Sequence, residues 1–489
     1  MRLQTLSKFF FPVAMALMLC TASSLGQGVG GGGGGAGGGG AGGGGAGGGG
    51  AGGGGGGRAN GGAGSGVAGI DIDAAGVLRV SQVDPSVAFA QRMATLQSKP
   101  RGSVRTSPMR MVSLNRLEQF ASKKLEQGES LSDEVLSLAG LSRLEFVFFL
   151  PESKDIVIAG PADQWHLDVN HRLVGLTTGR PTLRLDDLIV ALRAFASNDN
   201  AVSVIGCSID PTKEGLKQMN QFHASFGGQM PQGLDVRQYA LKMKESLGLQ
   251  TITIKGVPKT THFAQILVEA DYRMKLIGIG LQDPIIPLTS WIARTSAGAN
   301  SNSLQRWYFQ ADYSSVTTNE VGTALHLQGR GVKLSGEKES VEKDGNRTRT
   351  GNTGSQASNG FTKEFTEKFD KLADVTPVFF EMRNLFDISI AAAFIQDRNL
   401  YEKSGWNLGA FADESKFRVN TAAGVNQVES AVNAVWKNSQ LVTPIGGGVH
   451  IAARKLVDPS TTKVDNEIDA LQRKGSAPAD LAVDQWWWD

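Results

Sequence analysis

Cysteine is nearly absent from this 489-residue chain, with Cys20 and Cys207 the only two. Cys20 lies in a stretch that reads as a secretory signal, assigned to residues 1–27. Arg2 and Lys8 supply its basic start, and the apolar run from Phe9 to Cys20 is too short to span a bilayer. Small residues follow, and a cut after Gly26 fits the small-residue rule, with Ser24 three positions before it. Lipidation at Cys20 wants a small residue directly before it, and Leu19 stands there. Losing the signal leaves Cys207 alone. An intrachain disulfide is thereby excluded, although an exported protein would be permitted one. A chain of this size can bury enough apolar surface without it.

An excess of charge of either sign is also missing. The signal carries two basic residues and no acidic ones, so 49 minus 2 leaves 47 Lys and Arg against 47 Asp and Glu. The mature formal charge is zero, and no basic field argues for nucleic acid or an anionic membrane surface. No transmembrane helix is expected after the signal. Proline is absent from the glycine tract at 28–69, which excludes collagen. With almost no side chains to bury, the tract reads as a flexible tether. The alternative for it is self-association or attachment.

What is present reads as an α/β chain, a mixed sheet with helices on its faces. Residues 70–142 form a helical and linker region, with VLRV at Val77 to Val80 a strand and a basic linker at Ser98 to Pro108. Ser113 caps a helix carrying Leu114, Leu117, Phe120, Ala121 and Leu125 on one face. The α/β core at 143–294 opens with EFVFFL at Glu145 to Leu150 and a return run at Ile156 to Ala159, a hairpin apolar on both faces. Strands and helices then alternate, which argues for a layered domain with some parallel pairing. Ala201 to Cys207 is a strand, and Asp210-Pro211 reads as a helix start. The organising unit is Gly248 to Gln282: strand Thr251 to Lys255, a turn, an amphipathic helix, and a return strand at Leu276 to Gly280. On that helix Glu269–Arg273 and Asp271–Lys275 have i,i+4 ion-pair spacing. A second α+β part at 295–457 contains the strand Gln305 to Tyr313, a polar mobile loop at 335–360, and a long apolar helix from Thr376-Pro377. Strands are expected at Gly424 to Val442 and Gly448 to Ala453. Residues 458–489 form a polar, loose tail ending in Trp486-Trp487-Trp488-Asp489.

Ligands in open α/β sheets gather beyond the carboxyl ends of parallel strands. One such end carries Cys207, Ser208 and Asp210, the other Gly256, Lys259, Thr260, Thr261 and His262. Side by side, they would bring together a thiol, an acid, a lysine and an imidazole, with helix N–H groups suited to an anion. GVPKTT is not a Walker motif, because the first glycine and the spacing are absent. The plain structural alternative is that Asp210 and Thr261 cap helices, His262 is solvated and Cys207 is a small core residue. Asp163, His166, Asp168 and His171 are the densest group of metal-ligand types, but the two histidines are five apart and match no zinc pattern. A packing region around Trp165 is the competing account, and no cofactor is called. Trp307 and Phe309 share one strand face, with Tyr308 on the other. Such a face stacks on sugars or belongs to a core. The terminal tryptophans either dock back onto the domain or form an exposed contact for a partner.

From about Leu144 to Ile451 the chain resembles a family of secreted planctomycete proteins known as domain of unknown function 1598. The likeness is carried by LPESKDIVIAGPADQW at Leu150 to Trp165, VEADYRMKLIGIGL at Val268 to Leu281, and RWYF at Arg306 to Phe309. It implies an exported protein, periplasmic or at the cell surface, and brings no catalytic residues. Two functions are compatible with these readings. One is a non-enzymatic envelope or extracellular protein that binds protein or glycan. The other is a secreted hydrolase or anion-binding enzyme using the 207–210 and 256–262 strand ends. For the signal, intact-mass measurement of the protein recovered outside the cytoplasm is expected to show a chain starting at Gln27. A chain retaining Met1 in that fraction would refute cleavage.

Overall fold

The computed structural model describes residues 69–489 apart from 74, 81–84, 100–104, 197–201, 228–232, 234, 296–302 and 434–444. The signal and all of the glycine tract except Gly69 lie outside the described residues. In chain order the strands are β1 (Ile70–Ile72), β2 (Val77–Val80), β3 (Ser107–Ser113), β4 (Phe146–Leu150), β5 (Asp155–Ala162), β6 (Trp165–Leu167), β7 (Leu173–Gly175), β8 (Ile205–Pro211) and β9 (Leu249–Lys255). There follow β10 (Ser303–Asp312), β11 (Ser315–Thr318), β12 (Ala324–Gln328), β13 (Gly331–Val341), β14 (Arg347–Thr353), β15 (Gln427–Glu429), β16 (Ile445–Ile451), β17 (Lys463–Val464) and β18 (Trp487–Trp488). They make a nine-stranded sheet ordered β1-β2-β15-β9-β8-β16-β10-β13-β14 and a seven-stranded sheet ordered β17-β11-β12-β4-β5-β3-β18. β6 and β7 pair separately as a hairpin. Pairing is mixed, as an α/β reading requires. β10–β16, β11–β17 and β2–β15 run parallel, and the other pairs within the two sheets are antiparallel.

The β4–β5 hairpin sits inside the seven-stranded sheet and is buried on both faces, as FVFFL predicts. Val147, Phe149, Ile156 and Ile158 face the main core, whereas Phe146, Phe148, Val157 and Ala159 face a smaller cluster with Ile468 and Trp488. Alternate residues serving two cores follow from the two-residue period of a strand. Between the sheets lies the Pro377–Asp397 helix, with Pro377 in its first turn. It packs on β4 and β12 of one sheet, on β13 of the other, and on the helices Leu185–Ala194 and His262–Gly278. Buried all round, it still carries Glu381, Arg383, Asn384 and Asp387. No helix among the described residues is long and apolar enough to cross a membrane.

Several local expectations hold. Ser113 caps the Leu114–Glu126 helix by accepting the Arg116 N–H, and Thr261 caps the His262–Gly278 helix by accepting that of Ala264. Others are overturned. Leu276 to Gly280 is no return strand: the helix runs on to Gly278, where two large rings cover it. Asp210-Pro211 does not start a helix, because both residues pair with β9 to the end of β8, and Thr212 caps the next helix through the Gly215 N–H. Residues 335–360 are not a mobile loop but β13, β14 and the start of the Gln356–Glu367 helix. Their polarity belongs to the edge of a sheet turning at Asp344-Gly345, where Gly345 takes φ +86°. The tail is not loose: the Glu467–Lys474 helix covers β4 and β12, and β18 pairs with β3. Of the strand expected at Gly424 to Val442, only β15 is seen, and 434–444 lie outside the described residues.

Helix and sheet meet most closely at Gly278. A Cβ there would lie 2.3 Å from Trp307 Cζ3 and 3.1 Å from Phe361 Cε1. Helix propensity alone favours alanine over glycine by about 1 kcal/mol. Overpacking a ring that is fully buried is expected to reverse the sign. Gly278→Ala should lose about 1–3 kcal/mol in urea unfolding, and a gain would contradict this packing.

Candidate functional site

β8 and β9 are neighbours, but they are antiparallel, with Gly206 opposite Lys255 and Asp210 opposite Thr251. The carboxyl end of one strand therefore lies beside the amino end of the other. Asp210 and the Gly256 to His262 turn sit at opposite ends of the pair, so the thiol, acid, lysine and imidazole do not converge.

Each has its own partner. Cys207 is buried between Val449 and Ile254 on the neighbouring strands. Burial pushes its thiol well above the ordinary range, helped by the Asp271 charge. Asp210 ion-pairs with Arg306 and with Arg347 at 2.5 and 2.8 Å. Burial alone would raise its carboxyl, but the two guanidinium groups outweigh it and hold it below the usual range. Lys259 donates to Asn426 Oδ1 at 2.7 Å. His262 is not solvated. It is 5% exposed, with Nδ1 2.8 Å from Asp187 Oδ2 and Nε2 3.9 Å from Glu381 Oε1.

That histidine belongs to a buried charge network at the junction of three helices. Arg172 Nε donates to Glu381 at 2.9 Å and its NH2 group to Glu269 at 3.3 Å. Arg273 Nε closes on Glu269 at 2.7 Å. Burial still raises the Glu269 carboxyl against the pull of both arginines. A further pair on the same helix, Asp271–Lys275 at 2.8 Å, is sealed from solvent. Burial raises the Asp271 carboxyl to about 6 although Lys275 opposes it. Both i,i+4 spacings are thus real ion pairs, placed inside the protein rather than on its surface.

The remaining candidates do not come together as a set. Asp163 Oδ2 accepts the N–H groups of Thr177 and Thr178, and Asp168 Oδ1 accepts those of Asn170 and Arg172. His166 Nδ1 lies 3.0 Å from the Leu167 carbonyl oxygen, and His171 occupies a left-handed turn position at φ +57°. Among the described residues no group of three or more His, Cys, Asp or Glu side chains is placed to hold a metal ion. Trp307 is fully buried against Trp291 and Phe361, with its indole N–H donated to Ser358 Oγ at 2.9 Å. It is core, not a sugar platform. Tyr308, half-buried on the other face, accepts from Arg306 Nε at 2.7 Å and donates to Glu337 at 3.1 Å.

An open groove of about 580 Å³ lies beside the turn. Gly256, Pro258, Thr260 and Thr261 form one wall, and Val190, Arg193 and Ala194 of the Leu185–Ala194 helix another. Ala412, Glu414, Val419 and Thr421 close it. Thr261 and Thr421 form an antiparallel bridge, and the Ala422 N–H donates to the Thr260 carbonyl, fixing the 412–422 segment to the turn. Arg193 pins the same segment by donating to the carbonyls of Phe411 and Phe417, both at 2.6 Å, and by pairing with Glu414. Gly256, at φ +81°, sits where a Cβ would lie 2.8 Å from the Val204 carbonyl. Thr260 and Thr261 were legible in the sequence, whereas Arg193, Glu414 and Thr421 come from segments with no motif to mark them.

A family model described as Protein of unknown function (DUF1598) matches residues 207–291. The match spans β8, β9 and the His262–Gly278 helix, and so covers one wall of the groove. Of the three segments that carry the resemblance, Val268 to Leu281 falls inside it. No curated protein and no solved structure matches the chain.

The site yields a direct chemical expectation. In the folded protein lacking residues 1–26, Cys207 should resist iodoacetamide at pH 8 and react stoichiometrically after denaturation. Rapid labelling of the native protein would place the thiol elsewhere.

Proposed function

We propose that the protein is an exported, non-enzymatic binding protein of the envelope or extracellular space, and that the groove at the Gly256–Thr261 turn receives a peptide segment of a partner protein. The observation that carries this reading is the groove's lining. Its volume falls within the range of ligand pockets, about 300–1,000 Å³. Val190, Val202, Pro258 and Val419 offer apolar contact, while Thr260 and Thr421 offer hydroxyls that both donate and accept. None of the described lining residues is aromatic, which favours peptide over glycan, since sugars are held largely by stacking on rings. Among the described lining residues the one cation and the one anion, Arg193 and Glu414, neutralise each other, so a neutral segment fits better than an anion.

The competing enzymatic reading depended on Cys207, Asp210 and His262 meeting, and the antiparallel β8–β9 pair separates their positions. The buried thiol and the Asp187-bound imidazole offer neither an accessible nucleophile nor a base facing this groove.

A displayed library of short peptides should yield binders to the wild-type protein. Ala412→Trp, a change at an exposed rim position that fills the groove, should weaken them at least about tenfold, or 1.4 kcal/mol. Binders unaffected by Ala412→Trp, or selection of glycans but no peptides on parallel arrays, would overturn the assignment.

A further inference from the structure

The last four residues of the sequence are held in a site built for them. Trp487 and Trp488 pair antiparallel with Val112 and Met111, and the Ser113 N–H donates to the Trp486 carbonyl at 2.9 Å. Three different recognition devices flank that short ladder. Trp488, 5% exposed, enters the cluster of Met111, Phe148 and Ala324, while Trp486 is buried beside Phe120 with ring centroids 6.4 Å apart. The Trp487 indole N–H donates to Glu134 at 2.7 Å, and the Arg110 guanidinium lies 4.4 Å from its ring centroid. That same Arg110, buried to 2% exposure, grips both Asp489 carboxylate oxygens at 2.8 and 3.0 Å. Its remaining contact is the Ala139 carbonyl at 2.6 Å. Without Asp489 this buried cation would lose its counter-charge.

The connection to the rest of the chain is of a different kind. From Ser476 to Gln485 the segment is half-buried to exposed, with Val483 at 97%, and extended it would reach about 33 Å. A specific, aromatic–acidic strand thus sits at the end of a strap that is more exposed than the strand itself.

We propose that the open side of β3 is a strand-acceptor site for an aromatic–acidic segment, filled here by the chain's own Trp486–Asp489 and equally open to the same segment of a second copy. Addition of a strand to an exposed edge is a general mode of recognition, with ladder hydrogen bonds for affinity and side-chain pockets for selectivity. Exchange of an identical element between copies keeps every contact and changes only the connectivity.

Two experiments decide it. A protease site placed between Ala482 and Val483 allows the folded protein to be cut. The cut protein should take up a labelled synthetic peptide of residues 483–489, read by fluorescence anisotropy. A peptide carrying Asp489→Asn should bind about tenfold more weakly, having lost the ionic contact with Arg110. No uptake, or equal uptake of both peptides, overturns the acceptor site. In the full chain, deleting residues 478–484 leaves only three residues between Gly475 and Trp486, a strained connection that favours docking in a second copy, and light scattering should then show a dimer. A folded monomer would overturn exchange between copies. Should that variant fail to fold, the same readout applied to the uncut wild type mixed with the cut protein must show a mixed species, and its absence counts against exchange.

Discussion

Burying the Pro377–Asp397 helix on every side is the constraint on which the rest depends. A helix between two sheets has no solvent for its charged side chains, so each requires a partner from a different element. Glu381 takes Arg172 from the turn between β6 and β7, Asp387 takes Arg143 and Tyr313, and Asn384 donates to the Ser142 carbonyl. Arg383 reaches Asp370 at 3.1 Å. These contacts fix the helix in register against both sheets, which apolar packing by itself would leave free to slide. Burial and the negative charge of Asp387 together raise the Tyr313 hydroxyl well above its ordinary range. The position of the groove follows from the same arrangement. The Leu185–Ala194 helix is set by its packing on the central helix, and the His262–Gly278 helix by the His262–Asp187 contact and the shared Glu381.

Much of the fold was legible because local signals and tertiary demands agree. FVFFL reads as a two-faced buried strand, Ser113 and Thr261 as caps, and Thr376-Pro377 as a helix start, and each takes that form in the structure. The failures share one physical origin. Asp210-Pro211 carries a strong helix-start signal, yet Arg306 and Arg347 capture the aspartate at the end of a strand. Leu276 to Gly280 has strand-like composition, yet Gly278 is there to admit Trp307 into the helix surface. Polar segments at 335–360 and beyond 463 look unstructured by composition, but pairing of edge strands needs backbone groups rather than apolar side chains.

The candidate site was legible by half. The turn at Gly256 to Thr261 announces itself through glycine, proline and a capping threonine. Its opposite wall, at 412–421, is irregular chain held in place by Arg193 and by a single bridge to Thr261. Long-range contacts of that kind leave no periodicity to read. His262 illustrates the same limit from the other side: its helix position was evident, but its burial depended on Asp187, 75 residues earlier.

The pairing of β18 with β3 also imposes an order in time. Arg110 and Asp489 are 379 positions apart, so a chain emerging from its N-terminal end displays the β3 edge and an uncompensated guanidinium until residues 486–489 have appeared. Contacts so distant in sequence close late in folding. The seven-stranded sheet therefore acquires its final boundary only once that segment has docked. A chain stalled short of Trp486 offers its neighbours an unfinished edge.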